Sequence, residues 1–295
     1  MRWPMGDKAP APMDVEMYYT EAGMDYRAWS RSFNMHFGYF CWPANPFRLE
    51  GMLEEMSRQV FRRLELTDGM RVLDLGCGLG APARSLIAGH AVAVTAVTIV
   101  EWQIAKARAL AAAVASAPRG QVEWMRGDFT ALDLPPGTYD AAFSIEACCH
   151  APGSSKEPFI RECARLLRPG ARLVVADGFM KRSAGLPRWY AALLGYMNRS
   201  WAVERFADIS EFTACLQHHG FDVLAAEDIS FRIAPSVLHV PRVTIAFLAR
   251  ELLFRRKKLN KVRWGHVLAC LIAPWIGLGR PYFGYYFVTA RKRPT

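Results

Sequence analysis

A chain of 295 residues, 52% of them hydrophobic, can bury a substantial core, which excludes a disordered tail or a small stapled scaffold. Its seven cysteines (Cys41, Cys77, Cys148, Cys149, Cys163, Cys215, Cys270) are odd in number, scattered and without C-x-x-C pairs. Neither a disulfide framework nor a zinc centre is expected, and no metal is assigned. Lys and Arg outnumber Asp and Glu by 37 to 27, but the surplus is one local run late in the chain beside apolar segments, so no nucleic-acid partner is expected.

Met1 to Pro12 is rich in proline and charge and lacks the apolar core of a secretory signal, so a cytoplasmic protein is expected. Residues 14–42 are crowded with aromatics and read as helical, and a helix from about Pro46 to Leu66 stops at Thr67-Asp68-Gly69. From there strands and helices alternate: strand Arg71 to Leu75, helix Ala81 to Ala88, strand Ala91 to Val97, helix Glu101 to Ala115, strand Val122 to Arg126, strand Tyr139 to Ile145, helix Lys156 to Leu167 and strand Arg172 to Ala176. This rhythm predicts an α/β fold with a Rossmann-like, mostly parallel sheet. Leu186 to Phe206 reads as a helical cap, followed by helix Ile209 to His219, strand Phe221 to Phe231 and a last strand, Tyr282 to Arg291, which closes a seven-stranded sheet antiparallel. The fifty-odd residues between those strands exceed an ordinary connection, so Pro235 to Arg280 is expected to be helical, as a lid or a membrane-facing element. Within it, Arg250 to Arg263 holds seven basic residues and one acid between two apolar stretches. It is read either as a solvated helix face or as peripheral contact with an anionic membrane through residues 235–280. The apolar stretch after it is too short to span a bilayer and contains Pro274. The organisation expected is an aromatic-rich helical lid over 1–66, a cofactor-binding core over 67–180, and the rest of the sheet with cap and insertion over 181–295; a homo-oligomer is left open.

The chemistry is expected at the carboxyl ends of the strands. Asp74 and the alternate glycines Gly76, Gly78 and Gly80 follow the first strand. Glycine permits a sharp turn and close backbone approach to a ligand, and a carboxylate suits a cationic amino-acid ligand better than a diphosphate. That spacing points to S-adenosylmethionine. After the second strand, ribose hydroxyls are read as bound either by Thr98 and Gln103 or by Glu101; after the third, Asp128 accepts from an adenine amino group while Phe129 packs on the ring. After the fourth comes Ser144-Ile145-Glu146-Ala147-Cys148-Cys149-His150-Ala151-Pro152, the segment facing the transferable methyl, with Ser144 placed at the cofactor. Glu146 and His150 stand four apart, and local acid and base roles are expected of them.

VLDLGCGLGAPAR, RGDF and SIEACCHAP together resemble the cofactor loop, adenine segment and Ile-Glu-Ala-x-Cys-His-Ala-Pro motif of class I S-adenosylmethionine-dependent methyltransferases of the sterol C-24 methyltransferase group. YYTEAGMDYRAWSRSFNMHF is similar to that group's aromatic first region, and YFGYYFVTARKRP to its last strand. The resemblance covers roughly residues 18 to 180 and departs from the group at Thr98-Ile99-Val100 and over 181–280. It implies methylation of an alkene carbon of a sterol or other isoprenoid through a carbocation, which aromatic faces stabilise by about 0.5–2 kcal/mol each. Tyr18, Tyr26, Trp29, Phe37 and Tyr39 are the expected pocket aromatics. The proton is then removed by Glu146, with His150 and His36 as further candidates and Tyr19 as a relay. Competing readings are methylation of a smaller nucleophile (phenol, quinol or amine), or of a prenyl diphosphate held by the basic run.

Overall fold

The structure, a computed structural model, describes residues 14–113, 118–254 and 258–294. The reading of Met1 to Pro12, the last residues of the helix expected to reach Ala115, and the centre of the basic run (Arg255 to Lys257) lie outside the described residues.

Five parallel strands carry the sheet: β1 (Arg71–Leu75), β2 (Ala93–Thr98), β3 (Gln121–Arg126), β4 (Tyr139–Ile145) and β5 (Leu167–Met180). β6 (Ala207–Asp208) is a two-residue strand beside the end of β5; β7 (Phe221–Asp228) runs in the same direction as these strands, and β8 (Phe283–Lys292), inserted between β5 and β7, is antiparallel to both. The order is β3-β2-β1-β4-β5-β8-β7, with β6 off this path. The chain therefore winds outward from β1 in one direction and from β4 in the other, which opens a crevice at the carboxyl ends of these two neighbours. Side chains alternate across the sheet, as the pleat requires. Val72, Ala141, Phe143 and Val174 enter one core with α2 (Leu49–Leu64) and α3 (Ala81–Gly89). Leu73, Ala142, Leu173 and Val175 enter the other, with α5 (Glu157–Leu166) and α7 (Ile209–His218). β4 is buried along its whole length, on both faces of the sheet, with Asp140 and Ser144 as its two polar residues.

The cap has a core of its own. α6 (Arg188–Ser200) packs on α10 (Lys261–Leu278) through Tyr190, Leu194, Met197, Ala269, Ala273 and Ile276. Between β7 and α10 run α8 (Ser230–Val237), α9 (His239–Leu248) and a π-helical turn, Ala249–Phe254. The insertion is helical as expected, but two boundaries differ. Asp228 ends β7 and its carboxylate accepts from Ser230 N at 3.0 Å, so Phe231 lies on α8 rather than in the strand. The N-terminal helix is short: α1 (Val15–Ala22) gives way to a 3-10 turn, Gly23–Ala28, and the chain from Trp29 to Arg48 is irregular. α4 (Glu101–Ala112) completes the layer beside β2 and β3. No described helix is long and apolar enough to cross a membrane.

Candidate active site

Two cavities meet at the crevice. One is a cleft around the glycine turn, lined by Asp74, Gly76, Gly78, Thr98, Gln103, Asp128 and Phe129 among others. The second, with about 1350 Å³ of open space, lies between the sheet, the N-terminal segment and the helices of the insertion. Tyr19, Met35, His36, Glu146 and His150 line both. Whatever passes from one cavity to the other does so against these five side chains.

The turn residues have backbone reasons to be glycine. Gly76 sits at φ +92°, and a Cβ there would stand 2.2 Å from that of Ala147. Gly78, at φ +52°, lies under Met35, whose Sδ would be 3.0 Å from an added Cβ. Gly80 serves the fold instead: a Cβ there would run into the Trp124 ring at 2.2 Å, and Gly80 is not among the residues lining the cleft. Ser144, expected at the cofactor, is also absent from that lining; its Oγ is buried within β4 without a partner. Thr98 and Gln103 line the cleft, joined by a 2.7 Å bond from Thr98 Oγ1 to Gln103 Oε1, which leaves Gln103 Nε2 buried and unpaired. Glu101, the other ribose candidate, is exposed and faces Arg126 at 3.8 Å. Asp74 Oδ2 is likewise buried without a partner, and burial alone pushes its carboxyl well above the ordinary range. Asp128 Oδ1 is occupied by Thr130 N and Oγ1 at 2.8 and 2.7 Å, and Phe129 stands edge-on to Phe159.

At the shared wall, Glu146 adopts a left-handed backbone, φ 49°, immediately after β4. Its Oε1 accepts from Phe37 N at 2.6 Å and from the Tyr285 hydroxyl at 2.9 Å. Its open side faces the cavity rather than bulk water. This desolvation pushes the pKa up to about 8, with Asp177 adding to the effect and the two donors opposing it. His150 has both ring nitrogens engaged: Nδ1 with Ala202 O at 3.2 Å and Nε2 with the Tyr19 hydroxyl at 3.1 Å. A carbonyl only accepts, so Nδ1 carries the proton and Nε2 accepts from Tyr19. Burial lowers the His150 pKa to about 4, which makes the imidazole neutral at pH 7. His36 is also neutral at that pH, lowered by burial to about 4. Its Nδ1 is held by Phe37 O at 2.9 Å, and its Nε2 is buried without a partner.

Of the expected pocket aromatics, Tyr18, Tyr26, Trp29 and Phe37 line the large cavity. Tyr39 does not: it stacks on Phe287 with ring centroids 5.9 Å apart and belongs to the sheet core, because the irregular chain after Trp29 carries it past the opening. Three groups carry the site without a local signal that singles them out. Asp177, one residue beyond the expected end of the fifth strand, accepts from Cys149 N (3.0 Å) and Gly178 N (2.7 Å) and is contacted by Cys148 Sγ at 3.2 Å. Lys156 is buried with Nζ donating to Cys149 O, Ala151 O and Arg205 O at 2.7–3.0 Å, so it pins the segment bearing His150 to the cap. Tyr285 comes from the last strand. The rule that ligands gather at strand ends reaches Asp177 once β5 is drawn at its true length; nothing comparable marks Lys156.

Comparison with known proteins agrees with this geometry. A family model described as methyltransferase domain matches residues 72–170. The O-methyltransferase resE of Aspergillus sclerotiorum is 31% identical over 203 residues, 68% of this chain and 73% of its own. Methyltransferase GfsG of Streptomyces halstedii is 29% identical over 282 residues, 95% of this chain and 94% of its own. Sterol methyltransferases are also among the relatives, at 36% and 31% identity over 172 and 167 residues. The mycolic acid cyclopropane synthase CmaA1, solved with SAH and CTAB, shares the fold at a TM-score of 0.81 and 18% identity, over 97% of this chain and 100% of that one. The chain belongs to the class I S-adenosylmethionine-dependent methyltransferases, and S-adenosylmethionine is its cofactor. The residues present fit that molecule: a cationic amino-acid end has the unpaired Asp74 carboxylate beside a glycine turn, and hydroxyl groups have the unpaired Gln103 amide.

Proposed function

We propose that the protein methylates a hydroxyl group of a large apolar molecule, with His150 as the general base acting through Tyr19. The observation that carries this reading is the Tyr19–His150 pair in the wall common to both cavities, with the imidazole neutral and its free lone pair turned to the phenol. Because Tyr19 donates to His150, its oxygen has lone pairs left to accept the proton of a substrate hydroxyl. That proton passes to Tyr19 as the Tyr19 proton passes to Nε2, while the substrate oxygen forms its bond to carbon. The cofactor would supply an electrophilic methyl group whose carbon–sulfur bond breaks as the oxygen–carbon bond forms, leaving a neutral thioether, so the protein need only align the reactants and remove one proton. The second cavity is lined mainly by apolar and aromatic side chains, and the O-methyltransferase relatives support the same reading. The N-terminal segment serves as the lid over the shared wall, through Tyr19, Met35 and His36.

A second reading, methylation of an alkene carbon of a sterol or isoprenoid, is favoured by Glu146, a half-buried carboxyl at the same wall with the ring faces of Tyr18, Tyr26, Trp29 and Phe37 lining the cavity beyond. It takes support from the sterol methyltransferase relatives. A prenyl diphosphate substrate has less in its favour, since no lysine or arginine lines the large cavity among the described residues.

Methyl-labelled S-adenosylmethionine offered with a panel of large apolar alcohols, a phenolic quinol and a Δ24 sterol tests the proposal. The expected result is label on oxygen, with Tyr19→Phe and His150→Gln each slowing turnover about 100-fold or more while cofactor affinity holds. Label on carbon, or full activity in His150→Gln, overturns it.

A further inference from the structure

The outward face of the cap is apolar where solvent would demand polar side chains. On α10, every exposed residue after Lys261 is apolar or glycine: Trp264 (38% exposed), Leu268 (43%), Trp275 (60%), Gly277 and Leu278 (72%). The four large ones are spaced 4, 7 and 3 residues apart, which puts them in one stripe along the helix. Beside the stripe, Leu193 and Tyr196 of α6 form a shallow groove with Leu268, Leu271, Ile272 and Trp275. Trp189, one turn before Leu193, is 59% exposed. A continuous apolar patch of this kind marks a docking surface.

Charge identifies the occupant. No aspartate or glutamate occurs in residues 178–203 or 252–295, which hold four and ten Lys and Arg respectively. Arg188 and Arg199 stand at the two ends of α6, and Lys258 and Lys261 at the entry to α10; all four are exposed and none is in an ion pair among the described residues. Tryptophan and leucine rimmed by an excess of cations is the composition of a helix lying in a bilayer interface; the acid placed at the entry to α10 is Glu21, which accepts from the Asn260 amide. The opposite faces of the same helices, with Met197, Val267, Cys270, Ala273 and Ile276, line the large cavity.

We propose that the outer face of α6 and α10 seats the protein on an anionic lipid surface, with Trp264, Trp275 and Leu278 entering the acyl boundary and the four cations meeting the headgroups. The surface narrows the one expected over residues 235–280: Arg263 is turned inward to Asp25, Lys258 and Lys261 of the basic run stay exposed, and the apolar docking residues are those of α10, joined by α6. The inference does not depend on which atom is methylated.

Co-sedimentation of the full chain with phosphatidylcholine vesicles, with and without phosphatidylglycerol, tests it. The wild type should bind the anionic vesicles, and added salt should weaken binding. Trp275→Ser with Leu278→Ser should lower the partition coefficient about tenfold or more, and Arg199→Glu with Lys261→Glu should remove the preference for phosphatidylglycerol. These side chains are exposed, so an unchanged circular dichroism spectrum and Tm establish that the variants are folded. Absence of vesicle binding by the wild type, or equal binding by the Trp275/Leu278 variant, overturns the proposal. So does a concentration-dependent dimer in light scattering that the same variant abolishes, which would assign the face to a second copy of the chain.

Discussion

The cofactor cleft and the large cavity share a wall but are built by different means. The cleft comes from consecutive residues: the turn after β1, the residues after β2 and the loop after β3 each supply short runs whose spacing carries their chemistry. The cavity is assembled from the N-terminal segment, the end of β5, the cap and the insertion, so that Tyr18 meets His266 at 2.7 Å across 248 residues. A local motif constrains the first almost completely. The second depends on long-range packing, and its chemistry sits mainly where it borders the first.

If the division is real, damage to the turn should abolish cofactor binding whatever the substrate. Gly76→Val is the strongest such test, because valine would have to hold φ near +92° with its Cβ 2.2 Å from that of Ala147. Strain and overlap each cost about 1–3 kcal/mol. Cofactor affinity should therefore fall about 100-fold or more in calorimetry, with every substrate affected alike. Retained affinity would mean that the turn is not where the cofactor's close approach occurs.

A change confined to the cavity should do the reverse. Arg263 of α10 holds Asp25 of the N-terminal segment through two bonds of 2.8 and 2.7 Å, with both side chains mostly buried, and lies 3.6 Å from Glu251. Arg263→Met leaves the Asp25 carboxylate without its cation and removes one of the ties between the lid and the insertion, the Tyr18–His266 bond remaining. KM for the apolar substrate should rise about tenfold, equivalent to about 1.4 kcal/mol, with cofactor affinity unchanged. An equal loss of both affinities would show that the two regions are coupled more tightly than their construction implies.

The same contrast explains what was legible beforehand. The alternating strands and the glycine turn are readable because each rests on local geometry, and the SIEACCHAP segment through its place after the fourth strand and its resemblance to the methyltransferase motif. Glu146, His150, Tyr19 and His36 were named from their segments, and all four line both cavities. Tyr39 faces the sheet core rather than the expected pocket, because an aromatic in an irregular stretch has no period to say which way it points. Gly80 shares the left-handed backbone of its neighbours, at φ +73°, but the ring that a Cβ there would strike is that of Trp124, distant in sequence, and Gly80 does not line the cleft. Asp177, Lys156 and Tyr285 acquire their roles only from partners brought together by folding.

The pH dependence probes the wall itself and separates the two chemistries proposed for it. The Glu146 pKa is raised by burial to about 8 from an ordinary value near 4.5, so its neutral form is the one the fold favours. Its contribution to stability is fully present below about pH 4.5 and is lost as the pH rises to about 8. His36, His150 and His266, all lowered by burial to about 4, act in the opposite sense: their contribution is present above about pH 6.5 and lost as the pH falls through about 4. The Tm of Glu146→Gln relative to wild type should therefore gain a few degrees between about pH 5 and pH 8 and level off above, since only the wild type must ionise a buried carboxyl. A flat difference would mean that Glu146 is solvated. Turnover then distinguishes the roles. If His150 is the base it is unprotonated throughout, and kcat should stay level from about pH 6 to pH 9. A kcat that climbs about tenfold per unit and levels off near pH 8 would instead assign proton removal to the Glu146 carboxylate, and with it methylation at carbon.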